Sequence, residues 1–447
     1  MGTIFAIFVT FSLAYGYNLN NNTLGLLPVM EPGVFGWSLL HQDEQLYIGA
    51  PQAGAGQTGK VFQCQHLTTQ PTCSPLNLEP EDGLEGSWFG GSLAASKDSL
   101  YSCAFRYSWA DFDEGALGRN GKFKTGKCYK KGKGETSFED LVDFTQVYEG
   151  REKYKFPRAK NRKYDMYVEG DKRYVWRDYG VYGASSTIDE WGNLVAGNPL
   201  ELDGRGATKE PNNIFVGSIG KIEDLGGGKT KMIRPNRRTP WIVPNESEEE
   251  GDWTINRFAG YTVTSGKFFS GAQTGLAIGA PKIDNYRGKV YICKNCFQKS
   301  PTFHKLDGTK PGEHFGSSLA ACDIDGDGRE DLVVGAPNYA QSKQTYNSGL
   351  AYVIMVTGEF PRDAFDQPYS ITAKPERKNG RFGSSVACLG DTDGRHSGRS
   401  KVMVGAPYYE ERGAVFVFRY KLDPGTGQYK LQLSQTIKSQ GWDFLMR

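Results

Sequence analysis

Histidine is scarce in this chain. The five present, His41, His66, His304, His314 and His396, are scattered without the spacing that metal ligands need. No G-x-S-x-G element and no Cys/His nucleophile pairing accompanies them. Zinc hydrolysis and covalent hydrolysis therefore lack their basic equipment, and the chain does not read as an enzyme. Long apolar runs are missing too. The stretch from Ile4 to Ala14 is too short to span a bilayer, and no later segment offers eighteen uncharged apolar residues. With no Lys or Arg before it but small residues after it, residues 1–16 read as a signal peptide with cleavage near Gly16 and Tyr17, and no membrane anchor is expected.

A strong charge imbalance is also absent. The net charge of +2 argues against nucleic acid or another polyanion as partner of the whole molecule. Residues 119–178 depart from this balance, with 17 Lys and Arg against 10 Asp and Glu, and read as a solvated basic insertion.

What is abundant points to strands. Glycine (57), phenylalanine (25), tyrosine (24) and proline (21) surround apolar runs of four to eight residues, without sustained helical periodicity. A repeat organises them. FGWSLLHQDEQLYIGAP (35–51), FGSSLAACDIDGDGREDLVVGAP (315–337) and FGSSVACLGDTDGRHSGRSKVMVGAP (382–407) share an aromatic-Gly pair, a strand, a loop, a strand and Gly-Ala-Pro. Weaker copies at 88–106, 182–199 and 258–281 make six units, most of them followed by a further β-rich run such as GLAYVIMV (349–356). A sheet of three or four short strands cannot bury both faces alone, whereas radial stacking covers each sheet with its neighbours. The fold class is therefore all-β, a propeller over residues 17–447 in which the aromatic ring fills the space between blades and glycine allows close backbone approach.

The chemistry concentrates at 323–331. Asp323, Asp325 and Asp327 can converge on one point, the Arg329 carbonyl can add a fourth oxygen, and Asp331 can close the shell. Crowded carboxylates repel, and a divalent cation removes that cost. Oxygen-only ligands on a flexible glycine-containing loop favour Ca2+. Val334 stands where an EF-hand would need its bidentate Glu, so the loop is expected to join two strands. The sixth unit keeps Asp391 and Asp393 but has Lys401 in place of the last aspartate, making it a weaker second metal site.

Eight cysteines behind a secretory leader suggest disulfides. Cys64 with Cys73 and Cys103 with Cys128 are the sensible local pairs. Cys293 and Cys296 form a C-x-x-C without the second pair a structural zinc would need. Cys322 and Cys388 lie in apolar strand-like runs, where buried free thiols are expected at least as much as a bond. Asn21 and Asn245 head glycosylation sequons.

The repeat frame, the D-x-D-x-D-G-x-x-D hairpin, YNLN at 17–20 and YSCAFRYSW…GRNGKFKTGKCY (101–129) together resemble the ligand-binding head of an integrin α subunit over almost the whole chain. The resemblance implies a seven-bladed propeller that pairs with an integrin β subunit, binds matrix or cell-surface ligands, and carries calcium loops. It is similar to the class without an inserted A-type domain, because Tyr107 to Trp176 is too short for one. WIVPNESEEEGDWTINRFAGYTV (241–263) resembles laminin-binding α subunits. By spacing, a seventh unit would start near residue 440, where the sequence ends. Two other functions compete: a phospholipase specific for glycosylphosphatidylinositol, since such enzymes also carry this repeat, and a secreted glycan-binding propeller or soluble decoy without a β partner, with AFRYSWADF (104–112) and RDYGVYG (177–183) stacking on sugars.

Overall fold

The computed structural model describes residues 36–438 except 43–44, 66–71, 79–83, 110–122, 125, 142–165, 170–171, 176–181, 200–216, 225–229, 234, 236–257, 270, 272, 299–300, 357–368, 372–377, 391–398, 412 and 426. The leader at 1–16, both sequons, and Asp391 and Asp393 lie outside the described residues.

Among the described residues, short apolar runs broken by glycine turns become six blade sheets in chain order, antiparallel but for one edge pair in blade two. Blade one is β1 (Ser38–Gln42), β2 (Gln45–Ala50), β3 (Lys60–Gln65) and β4 (Thr72–Pro75). After β5 (Asn77–Leu78), blade two contains β6 (Ser92–Ser96) and β7 (Ser99–Ala104). A small hairpin of β8 (Ser108–Trp109) and β9 (Phe123–Lys124) follows, then β10 (Lys127–Gly132) and β11 (Ser137–Asp140) complete the blade. The sequence predicts three or four strands per unit; blade two has five, because β5 joins parallel to β11.

A second hairpin, β12 (Met166–Glu169) with β13 (Lys172–Val175), precedes blade three: β14 (Ser186–Ile188), β15 (Leu194–Asn198), β16 (Ser218–Asp224) and β17 (Thr230–Ile233). Blade four is β18 (Thr262–Phe269), β19 (Gln273–Ala280), β20 (Lys289–Lys294) and β21 (Thr302–Asp307). Blade five is β22 (Ser318–Cys322), β23 (Asp331–Ala336), β24 (Leu350–Ile354) and β25 (Tyr369–Ile371). Blade six is β26 (Ser385–Leu389), β27 (Lys401–Ala406), β28 (Ala414–Leu422) and β29 (Tyr429–Lys438).

The first strands follow one another around an axis: β1 lies beside β6, β6 beside β14, β14 beside β18, β18 beside β22, and β22 beside β26. Hydrophobic clusters sit mostly between consecutive sheets. Val61 of blade one meets Phe89 and Tyr129 of blade two, Val290 of blade four meets Phe315 and Val334 of blade five, and Val353 of blade five meets Phe382 and Phe416 of blade six. Among the described residues the sheets form six blades of a β-propeller, and each sheet owes part of its buried area to the next one.

The repeat frame works at these seams. Phe89, Phe315 and Phe382 are buried, each with its ring edge against aromatics of its own blade, such as Tyr352 at 5.1 Å from Phe315 and Phe416 at 5.4 Å from Phe382. The glycine of Gly-Ala-Pro faces the glycine of the next aromatic-Gly pair. A Cβ on Gly49 would stand 2.0 Å from the Gly90 carbonyl oxygen, and one on Gly335 2.0 Å from that of Gly383. A hydroxyl two residues after the aromatic-Gly glycine then donates to the same carbonyl: Ser38 to Gly90 (2.7 Å), Thr262 to Gly316 (2.8 Å) and Ser318 to Gly383 (2.9 Å).

Residues 119–178 do not form one solvated insertion. Within them, β10 and β11 are blade strands, and Lys127 is buried with Nζ 2.7 Å from Asp140 and over the Tyr107 and Tyr129 rings. Burial next to Tyr129 is tolerable because the ammonium keeps both a carboxylate and π-faces. No helix among the described residues is long and apolar enough to cross a membrane.

Candidate metal centre

β22 and β23 pair from Ser318 opposite Gly335 to Cys322 opposite Asp331, so residues 323–330 form the connection at the end of the sheet away from Phe315-Gly316. Gly326 and Gly328 adopt φ of 83° and 87°, a left-handed backbone that β-carbons resist, and this lets the chain curl on itself. No helix flanks the connection, as the strand-joining reading requires.

The curl brings three of the expected residues together. One carboxylate oxygen from each of Asp323, Asp325 and Asp327 lies within 4.8 Å of the others. Backbone amides aim the carboxylates: Gly326 N–H donates to Asp323 Oδ1 at 2.7 Å, Gly328 N–H to Asp323 Oδ2 at 2.9 Å, and Asp327 N–H to Asp325 Oδ1 at 3.1 Å. Arg329 contributes a feature the sequence does not announce: its guanidinium bonds Asp327 Oδ2 through both Nε and Nη2 at 3.0 Å.

Asp331 is placed differently from the other three. It is buried, with Oδ2 accepting from Ile324 N–H and Oδ1 from Val356 N–H, both at 2.9 Å, and it falls outside the three-carboxylate group. Each oxygen retains a lone pair, so this placement still leaves capacity toward a cation. Burial, opposed by those two amides and reinforced by Asp325 and Asp327, raises its pKa to about 7. Burial and then the charge of Asp327 raise Asp325 as well. All of these donors are hard oxygens, and the ionised forms of Asp325 and Asp331 are disfavoured by their surroundings, which is the condition a divalent cation relieves. The residues present fit such an ion.

The hairpin also reaches both neighbouring blades. Toward blade four, Glu330 N–H donates to the Lys267 carbonyl at 3.2 Å and Glu330 Oε2 accepts from Lys267 N–H at 2.7 Å. Toward blade six, Ser400 N–H donates to the Asp323 carbonyl at 2.6 Å and Arg399 Nε to the Asp325 carbonyl at 2.9 Å. Glu330, Arg399 and Ser400 carry no sequence signal as members of this site, because their partners lie in other blades. Lys401 is buried in β27, opposite Leu389.

The structure pairs all eight cysteines. Cys64 bonds Cys73 and Cys103 bonds Cys128 across neighbouring strands, and Cys293 bonds Cys296. Cys322 and Cys388, expected as buried free thiols at least as much as a pair, are bonded with Cα atoms 5.8 Å apart. They lie 66 positions apart in the chain, and only the abutment of β22 on β26 brings them together.

Comparison with known proteins supports the repeat reading. The FG-GAP repeat family matches residues 315–354, which contain the acidic hairpin. Integrin alpha-PS5 of Drosophila melanogaster is 27% identical over 86% of this chain and 34% of its own length. Integrin alpha-IIb of Homo sapiens is 28% identical over 91% of this chain and 38% of its own, and integrin alpha-5 of Xenopus laevis 23% over 92% and 37%. The chain thus spans about a third of the length of the curated relatives it matches. Among solved structures, a mutant of AofleA from Arthrobotrys oligospora aligns with a TM-score of 0.41 and 8% identity, covering 90% of this chain and 87% of that one, a likeness too loose to carry an argument. With six sheets in succession around an axis among the described residues, an FG-GAP repeat at the fifth, and such relatives along about nine-tenths of its length, the chain is similar to the integrin α subunits over a β-propeller of FG-GAP repeats.

Proposed function

We propose that this chain is the head of an extracellular adhesion receptor, working with an integrin β subunit and binding a matrix or cell-surface protein. The observation that carries the reading is the acidic hairpin of blade five, tied to blades four and six, within a chain whose relatives are integrin alpha proteins. In this reading Asp323, Asp325, Asp327, the Arg329 carbonyl and Asp331 hold Ca2+. The ion neutralises the loop and stiffens the blade ends, and it takes no part in bond making. Asp391 and Asp393 form at most a weak second site, since Lys401 replaces the last carboxylate.

The rest of the reading follows from that role. Residues 1–16 direct secretion, Asn21 and Asn245 accept glycans, the ring is seven-bladed by design, and no catalysis is performed. Calorimetric Ca2+ titration should show one tight site, and three or more would contradict the assignment. Co-expression with an integrin β ectodomain should yield a co-purifying complex. Failure of the folded, Ca2+-loaded chain to associate would overturn the receptor reading.

A further inference from the structure

The four disulfides are not alike in what they restrain. Cys64–Cys73 and Cys103–Cys128 each join paired strands of one blade, and Cys293–Cys296 closes the turn that follows β20. Cys322–Cys388 alone joins two blades. A bond between strands that already share a ladder adds little to their geometry, whereas one across a seam restrains how two separate sheets sit against each other.

That bond stands at the root of the acidic hairpin. Cys322 ends β22, pairs in register with Asp331 and is followed directly by Asp323. On the other blade, Cys388 pairs with Val402 of β27, the strand that Arg399 and Ser400 immediately precede. Those two residues donate to the carbonyls of Asp325 (2.9 Å) and Asp323 (2.6 Å). One covalent link and two hydrogen bonds therefore hold residues 322–325 against blade six, and this limb carries two of the three converging carboxylates. Without the covalent link, the two hydrogen bonds hold the limb alone. The bond is also reachable from one side: Cys322 is 2% exposed, but Cys388 is half-buried between the exposed Ala387 and Gly390.

We infer that Cys322–Cys388 is a cleavable bond that sets the Ca2+ affinity of the blade-five hairpin, and that its substrate class is a dithiol of the CxxC oxidoreductase type. A thiolate of the dithiol attacks Cys388 Sγ, the bond between the two Sγ atoms breaks, and Cys322 leaves as a thiolate that takes up a proton. The second sulfur of the dithiol attacks the mixed disulfide and releases Cys388, which is protonated in turn. The dithiol is oxidised to a disulfide, and its two electrons and two protons pass to the cysteines. With the bond intact, Asp323 and Asp325 are prealigned and little ordering accompanies ion binding; with it open, the limb is freer and the ion binds more weakly. The two equilibria close one thermodynamic cycle, so Ca2+ favours the disulfide by the same factor by which the disulfide favours Ca2+.

The inference rests on the Ca2+ reading of the hairpin and deepens it. Calorimetric Ca2+ titration compares the parent chain with Cys322→Ser/Cys388→Ser and with Cys64→Ser/Cys73→Ser, which lacks a bond inside blade one. Affinity should fall by about tenfold or more in the first variant and match the parent in the second. In a second arm, which needs no variant to fold, the parent is equilibrated in dithiothreitol redox buffers with EGTA or with saturating Ca2+. Free thiols are trapped with iodoacetamide and each bond is read by peptide mass. Saturating Ca2+ should raise the ratio of bonded to reduced Cys322–Cys388 by that same factor, about tenfold or more, and leave Cys64–Cys73 unmoved. Equal Ca2+ affinity with and without the seam bond, an equal loss in both variants, or a redox equilibrium indifferent to Ca2+ would overturn the inference and leave the metal site standing. A parent chain that binds no Ca2+ would remove both.

Discussion

At the scale of single residues, the propeller places charge where burial makes it costly. Glu313 is almost fully buried between blades four and five, with Oε1 accepting from Thr309 N–H and Oε2 from the Thr309 and Tyr352 hydroxyls. Burial still outweighs these bonds and raises its pKa above the ordinary 4.5. The native state therefore binds the Glu313 proton more tightly than the unfolded chain does. Its contribution to stability is present below about 4.3 and is lost as pH rises through the elevated native value. Glu313→Gln should consequently flatten the melting temperature against pH on the neutral side, measured by calorimetry between pH 5 and about 8. An unchanged slope would show that Glu313 does not titrate in that range. At the acidic hairpin, Asp325→Asn removes one of three converging ligands, and calorimetric Ca2+ affinity should fall by about tenfold or more while the apo chain stays folded. The aspartate spacing is legible in the sequence because neighbouring positions on one tight loop must converge. The guanidinium of Arg329 on Asp327 is not, since a side chain's choice between solvent and a carboxylate leaves no mark on spacing.

At the scale of strands and seams, the frame that defines the repeat is a device for close approach. Gly335 abuts the Gly383 carbonyl and the Ser318 hydroxyl at 2.0 and 2.1 Å from where a Cβ would lie. Gly335→Val should therefore force blades five and six apart and cost about 3 kcal/mol or more in chemical denaturation. Ser318→Ala deletes only the hydroxyl that bonds the Gly383 carbonyl and should cost about 1 kcal/mol. If the two substitutions cost the same, the seam is not controlled by backbone proximity. The Cys322–Cys388 bond crosses the same seam beside the hairpin. Its removal as Cys322→Ser/Cys388→Ser should cost about 2 to 4 kcal/mol, read from the same denaturation curves. Aromatic-Gly and Gly-Ala-Pro could be read as repeated signals, but their meeting across two different blades could not, because each half is written about fifty residues from its partner.

At the scale of the whole molecule, stability belongs to the succession of blades more than to any one of them. Hydrophobic clusters span neighbouring sheets, and the acidic hairpin bonds Lys267 of blade four and both Arg399 and Ser400 of blade six. A cation that stiffens this hairpin stabilises three blades at once, so chelation of Ca2+ should lower the thermal midpoint by several degrees, roughly as expected for about 1 to 3 kcal/mol. Hydrogen exchange should show the lost protection spreading from 323–330 into 267–269 and 399–401. Confinement of the change to the loop itself would mean that the seams transmit nothing.

Sequence alone determined the elements: the period of the repeat, the all-β class, six units, the strand–loop–strand setting of Asp323, Asp325 and Asp327, and the two local cysteine pairs. Each of these depends on residues close in the chain, where spacing translates directly into geometry. Tertiary structure decided the withdrawal of Asp331 onto the Ile324 and Val356 amides, the Cys322–Cys388 bond, and the ties of the hairpin to Lys267, Arg399 and Ser400 in the neighbouring blades. The disulfide and the ties to the neighbouring blades join segments tens of residues apart, and only the way one blade leans on the next brings them within bonding distance.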